Sequence, residues 1–242
     1  MSNSGNLRVV LVAPRNPLNI GAGARAMSNF GFFDLRLVNP YQVAFREAKS
    51  AVKAERVLRD AREFPTLAEA VADCALVVGT TSRGPRAPEH PLRRLEHGSK
   101  LIAKRLASAP VALLFGSEKF GLSNDDMSHC HWLMRIPTRL EHGSMNLGQA
   151  VAVCLYELVR NPSAEARAAG KPPAKGEDLE RVTSLLRELL DRCGYVHARV
   201  GASALMKLRR LVRRMDLSAH DAEVWMGMLR QIRWKLLSSI KE

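Results

Sequence analysis

The side chains able to do chemistry gather in four polar segments, each following a short apolar run: residues 14–19, 80–86, 116–122 and 138–144. Loops at strand ends are where α/β proteins hold their ligands. The last two lie within the stretch Pro110 to Leu158. There, the apolar runs Val111 to Phe115 and Trp132 to Ile136 each enter a glycine-bearing loop, and the second loop leads into a long apolar helix. Two familiar chemistries fail on spacing. The triplet His129-Cys130-His131 does not read as a metal site, because successive strand residues point to opposite faces and cannot converge on one ion. The run Gly21-Ala22-Gly23-Ala24-Arg25-Ala26 matches a dinucleotide fingerprint, but eight residues separate it from Val12. The next strand ends in Asn39-Pro40 and lacks the acidic residue that holds a ribose hydroxyl.

The elements that must position these loops alternate. Leu7 to Val12, Leu35 to Val38 and Ala75 to Val78 read as strands. Helices are expected at Ile20 to Phe30, Phe45 to Ala61, Thr66 to Asp73 and Leu92 to Ala107, with Thr66 as N-cap and Glu69 in the capping-box position. Such alternation predicts an α/β fold around a mainly parallel sheet covered on both faces, with its crevice at the carboxyl ends of the strands. Residues 161–176 are rich in Pro, Ala and Gly and read as an exposed linker. Three amphipathic helices follow, Glu177 to Cys193, Ala202 to Met215 and Ser218 to Ile240. The expected organisation is therefore a catalytic-size domain at 1–160, the linker at 161–176, and a basic helical extension at 177–242.

A chain of 242 residues that is 46% hydrophobic can bury a full core and still carry an appendage. Its formal charge of +13 points to a polyanionic partner. Between Arg192 and Met215 there are seven Arg or Lys residues and no acid, which predicts a nucleic-acid surface there. No apolar run is long enough for a membrane span, and the N-terminus lacks a basic leader, so a soluble cytoplasmic protein without a membrane partner is expected. The widely spaced Cys74, Cys130, Cys154 and Cys193 form no CxxC pair and predict buried reduced thiols.

Three segments together are more specific than any one. Asn19-x-Gly21-x-x-x-Arg25, then Gly116-Ser117-Glu118-Lys119-Phe120-Gly121-Leu122, then Ile136-Pro137 with Ser144-Met145-Asn146-Leu147 heading a helix, resemble the motifs of the TrmH-like SPOUT RNA 2′-O-methyltransferases. The match in order and spacing covers Leu7 to Arg160, with Met145 where the family usually has leucine. The basic extension is closest to the branch that methylates an anticodon-loop pyrimidine of tRNA, at position 32. The resemblance implies a C-terminal trefoil knot in the catalytic domain and S-adenosyl-L-methionine bent into the knot loops. It places cofactor contacts on Thr80, Thr81, Ser82, Gly116, Ile136, Gly143, Ser144 and Met145, and catalytic roles on Arg25, Asn19, Glu118, Ser144 and Asn146. It also implies a homodimer with each site completed across the interface, tRNA as substrate, and no metal.

Two other functions share these motifs: a ribosomal-RNA 2′-O-methyltransferase, and a non-catalytic RNA-binding protein of the same fold. Arg25 is the residue expected nearest the ribose hydroxyl. The family is often described as using it as general base, yet a guanidinium stays protonated at neutral pH and is a poor acceptor, so fixing ribose-phosphate geometry is the alternative role. Asn19 and Glu118 are expected to orient that arginine or the opposite protomer's loop. Each polar residue also has a plain reading: Asn19 as cap of the first helix, Glu118 as an exposed loop acid, Ser144 as cap of the Asn146 helix. Small residues Gly21, Ala22, Gly23, Ala24 and Ala26 would permit close approach of another backbone.

Overall fold

The computed structural model describes residues 4–41, 55–82, 90–139, 141, 143–160, 172–195 and 201–238. In chain order the elements are β1 (Leu7–Val12), α1 (Pro17–Phe30), β2 (Asp34–Val38), α2 (Glu55–Arg59), β3 (Arg62–Phe64), α3 (Leu67–Ala70), β4 (Leu76–Thr80) and β5 (Leu92–Arg94). They continue with α4 (Leu95–Leu106), β6 (Val111–Phe115), α5 (Asn124–Ser128), β7 (Trp132–Arg135), α6 (Leu147–Val159), α7 (Gly176–Arg192), α8 (Gly201–Arg214) and α9 (Ala219–Ser238).

The seven strands form one sheet in the order β3-β2-β1-β6-β4-β7-β5, and every neighbouring pair is parallel. Alternate residues sort onto two faces, as the period of a strand requires. Val9, Leu11, Leu35, Leu113, Phe115 and Met134 pack under α1, α4 and α6. Val10, Val12, Val77, Ala112, Leu114 and Leu133 pack on the opposite side, with Leu67 and Ala70 of α3. Burial on both faces explains why the central strands read as continuous apolar runs.

Several boundaries differ from the sequence reading. Helix α1 starts at Pro17, three residues before Ile20, because Asn16 caps it by accepting the Leu18 amide and Pro17 stands in its first turn. The strand expected to end at Val78 runs on through Gly79 and Thr80. The helix expected from Leu92 begins at Leu95, and Leu92–Arg94 forms an edge strand instead. The Phe45 to Ala61 helix falls partly outside the described residues, with Glu55–Arg59 helical inside them, and Arg62–Phe64 adds the other edge strand. Both edge strands carry mostly exposed side chains and are held by backbone pairing, so no apolar pattern announces them. Thr66 caps α3 as expected, accepting the Glu69 amide.

Helices α7, α8 and α9 close around a separate cluster that includes Leu179, Val182, Val212, Ala222, Met226 and Leu229. This bundle is docked on the sheet layer. A Cβ at Gly176 would lie 2.3 Å from the Val71 carbonyl oxygen, and the Glu177 amide donates to the Ala72 carbonyl at 2.8 Å. Arg209 is buried in the seam, donating to both Glu180 carboxylate oxygens (2.9–3.2 Å) and to Ser128 Oγ at 3.0 Å. Arg213 is 1% exposed, with the Glu180 carboxylate 4.0 Å away. These two arginines were expected on a nucleic-acid surface, and the structure turns them inward. Residues four apart share one helix face, and here that face meets α5 and α7.

Of the four cysteines, Cys74, Cys130 and Cys154 are buried and Cys193 is exposed, and all four are free thiols. Burial pushes the Cys130 and Cys154 thiols up to about 12. Among the described residues no helix is long and apolar enough to cross a membrane.

Candidate active site

The sheet order brings three of the four polar loops together. Strands β6, β4 and β7 are adjacent, so their carboxyl ends place Gly116, Thr80 and Ile136 side by side. The Thr81 amide donates to the Met134 carbonyl at 2.9 Å, and the Thr80 hydroxyl donates to the Leu114 carbonyl at 2.8 Å, tying the loop after β4 to both neighbours. The loop after β6 folds back on itself, with the Gly121 amide donating to the Ser117 carbonyl at 2.8 Å. Gly121 has φ of +68°, in the left-handed region that suits glycine, and a Cβ at Gly116 would lie 2.0 Å from the Gly121 carbonyl carbon. No side chain fits at 116 without moving that backbone.

The fourth loop joins them through a relay of side chains. Glu118 accepts from the Asn16 amide at 3.0 Å, the Arg15 amide at 3.1 Å and Asn19 Nδ2 at 3.0 Å. Asn19 Oδ1 in turn accepts from Asn146 Nδ2 at 2.8 Å, and Asn146 Oδ1 accepts the Gln149 amide, capping α6. Three motifs far apart in sequence thus become one hydrogen-bonded line, Glu118–Asn19–Asn146. Partial burial opposes ionisation of Glu118, but the Asn19 hydrogen bond and the amides of Glu118 itself, Asn16 and Arg15 outweigh it and hold the carboxyl below its usual range. Glu118 is therefore an anchored carboxylate at the α1 N-terminus, where the helix dipole also favours negative charge.

This geometry revises several expectations. Asn19 is not the cap of α1, since Asn16 takes that place. Asn16-Pro17 is itself a cap-and-first-turn signature that would have located the helix start. Glu118 is an exposed loop acid, as its plain reading has it, and both its carboxylate oxygens are also engaged by Arg15, Asn16 and Asn19. Ser144 is exposed and does not cap α6, because Asn146 does. Asn19 and Glu118 bond each other and leave Arg25 alone: Arg25 is exposed on α1 and makes no hydrogen bond or ion pair with the described residues. The small residues of α1 serve the chain's own packing, since a Cβ at Gly148 of α6 would lie 2.6 Å from the Ala22 Cβ, and Gly23 faces Val151.

The remaining residues singled out for a cofactor lie on the segments that follow β4 and β7. Thr81, Ile136, Gly143 and Met145 are half-buried, Ser82 and Ser144 are exposed, and the Gly143 carbonyl accepts from the Thr138 hydroxyl at 3.2 Å. His129, Cys130 and His131 lie elsewhere, buried at the entry to β7, where His131 Nδ1 accepts the Val77 amide at 3.1 Å. No cluster of His, Cys, Asp or Glu that could hold a metal occurs among the described residues.

Comparison with known proteins sets this geometry in a family. The chain is 36% identical over 235 residues to a protein of Sodalis glossinidius named tRNA (cytidine/uridine-2′-O-)-methyltransferase TrmJ, covering 94% of this chain and 91% of that protein. The crystal structure of TrmJ from Z. mobilis ZM4 superposes with a TM-score of 0.82 at 35% identity, over 93% of this chain and 98% of that one. A structure described in terms of 2-OH methylation of C/U34 on tRNA aligns at a TM-score of 0.53 and 26% identity, over 67% of this chain and 99% of that one. Residues 6–156, well over half of the chain and including every residue of the relay, match the SpoU rRNA Methylase family, and the chain belongs to that family.

Proposed function

We propose that the protein is an S-adenosylmethionine-dependent tRNA 2′-O-ribose methyltransferase acting on an anticodon-loop pyrimidine, position 32 by its resemblance. The observation that carries this reading is the Glu118–Asn19–Asn146 relay, which fastens three loops around the strand ends beside an exposed, unengaged Arg25. The similarity to tRNA-modifying relatives along almost the whole chain, helical extension included, favours tRNA over ribosomal RNA.

The residues at the strand ends fit the cofactor. Ser82 and Ser144 offer hydroxyls, Thr80 and Thr81, whose hydroxyls donate to the Leu114 and Ser82 carbonyls, keep oxygen lone pairs as acceptors, and Ile136 and Met145 offer apolar surface. That neutral donor set suits a nucleoside with an amino-acid tail. When bound, S-adenosylmethionine supplies a sulfonium methyl as the electrophile, so the protein's task is orientation. Asn19 and Asn146 act as positioning residues that fix the loop carrying Ser144 and Met145 against α1. Arg25 holds the ribose and its phosphate by charge-assisted hydrogen bonds, and the phosphate so held is placed to assist loss of the hydroxyl proton.

The knot belongs to the same reading, with β4 seated between β6 and β7 as its support. So do the division at 1–160, 161–176 and 177–242, a cytoplasmic location, and a homodimer. Exposed Leu18, Phe120, Tyr156 and Val159 leave apolar surface on α1, the loop after β6 and α6, which a second copy would cover. The test is transfer of a radiolabelled methyl group to total tRNA and to ribosomal RNA, followed by nucleoside mapping. Label on a tRNA anticodon-loop ribose is expected; label confined to ribosomal RNA, or none, overturns the reading. Arg25→Ala should abolish transfer with S-adenosylmethionine affinity unchanged by calorimetry.

A further inference from the structure

Helix α8 meets the sheet layer through cations, and histidines stand opposite them. His129, at the C-terminal end of α5, faces Arg209 and Arg213; burial, then those two charges, disfavour its protonation. His90 lies just before β5, where burial and then the Arg214 charge act in the same direction, against a hydrogen bond to the Met127 backbone. His131 faces Arg213 and Arg105. The buried Nδ1 of His129 and Nε2 of His90 have no hydrogen-bond partner among the described residues. His131 Nδ1, by contrast, accepts the Val77 amide within the sheet layer.

The acids of the seam are already committed. Glu180 of α7 accepts from Arg209 and stands 4.0 Å from Arg213. On α5, the exposed Asp125 lies 3.4 Å from Arg209, and Asp126 accepts from the Ser123 amide and hydroxyl. Asp216 pairs with Arg105 of α4. The Cys130 and Cys74 thiols, which also face Arg213, are kept protonated by burial. A proton added to His129 or His90 therefore puts one more charge among cations, with no acceptor beside the nitrogen that gains it. Movement of α8 away from the sheet removes those cations and admits water to both nitrogens.

We propose that His129 and His90 make this seam a pH-sensitive latch, at which protonation releases α8 from the sheet layer while the sheet and the three-helix cluster each stay folded. The two sides have separate hydrophobic cores, so parting them opens the seam held by Arg209, Glu180 and Ser128 and leaves both cores closed. His131 keeps its Val77 bond after release and takes up its proton only on unfolding. For both latch histidines the docked state has the lower proton affinity. Docking is therefore at full strength above the ordinary value of 6.5 and weakens as pH falls below it, down to about 3 for His129. Between pH 7.5 and 5.5 His129 alone should favour release about tenfold, and His90 adds to it.

Two native cysteines report the two events in the full-length protein. Cys130 is buried facing Arg213 in the seam, and Cys154 is buried in the core on the other face of the sheet. The experiment labels both with a dithiodipyridine, which reacts at acid pH, maps the sites by mass spectrometry, and divides each rate by that of the unfolded chain at the same pH to give an opening constant. Cys130 should open more readily than Cys154 at pH 7.5. At pH 5.5 its opening constant should rise about tenfold through His129, with His90 adding to that, and the rise at Cys154 should be about tenfold greater because unfolding also frees His131. His129→Leu, and His129→Gln should the first fold poorly, should remove the tenfold share at Cys130. His131→Leu should leave the rise at Cys130 intact and reduce the rise at Cys154. Equal opening constants at the two cysteines at both pH values would show that α8 leaves only when the whole chain unfolds, and would overturn the proposal. So would an opening constant at Cys130 that ignores pH, or one that rises in both His129 variants as it does in wild type.

Discussion

Acid should weaken this protein well before its carboxylates titrate, and the histidines at the seam give the magnitude. His129 and His131 are held neutral to about 3, against an ordinary value of 6.5. Burial is the first cause for both; the Arg209 and Arg213 charges add to it at His129, and Arg213 and Arg105 at His131. In the unfolded chain both protonate near 6.5, so between 6.5 and 3 the unfolded state binds more protons and stability falls as pH drops. From pH 7.5 to 5.5 each histidine should remove about 1.4 kcal/mol, and the pair about 2.7 kcal/mol. Asp34 and Glu118, whose carboxyls are held below their usual range, lose their contribution only below about pH 4.5, outside this window. Urea unfolding at the two pH values measures the difference. His131→Leu should remove about 1.4 kcal/mol of the pH-dependent loss while costing about 1–3 kcal/mol at every pH, because the Val77 amide loses its acceptor. Stability at pH 5.5 within about 0.5 kcal/mol of that at pH 7.5 would refute the reasoning, since one histidine alone accounts for more.

Arg209→Ala strips Glu180 and Ser128 of their shared partner and should cost about 3–5 kcal/mol, with faster amide exchange along α8; an unchanged unfolding midpoint would show that the seam does not depend on it. Gly116→Ala drives a methyl into the Gly121 backbone, so calorimetry should show loss of S-adenosylmethionine binding, and wild-type affinity would contradict the loop assignment. Mixing Arg25→Ala subunits with Asn146→Ala subunits should restore up to one working site per heterodimer. No rescue after verified subunit exchange, or an active monomer by sedimentation, would sink the shared-site proposal.

Much of the catalytic half was legible because its signals are local. A strand buried on both faces must be apolar throughout, so β1, β4, β6 and β7 announce themselves, and the loops between them carry the polar residues. Asn19, Glu118 and Asn146 could be singled out by type and spacing. Their pairing could not, because residues 99 and 127 positions apart meet only when β1 and β6 lie side by side and α6 packs on α1. The three-residue edge strands were invisible for a related reason: their stability comes from a neighbour's backbone and leaves no pattern in their own side chains. The basic run on α8 shows the difference most plainly. Its spacing already separated Arg209 and Arg213 from Lys207 and Arg214, but a sequence of cations does not say which stripe faces in. Only the docking of α8 against α5 and α7, where Glu180 and Ser128 wait, buried one pair and left the other pair to solvent.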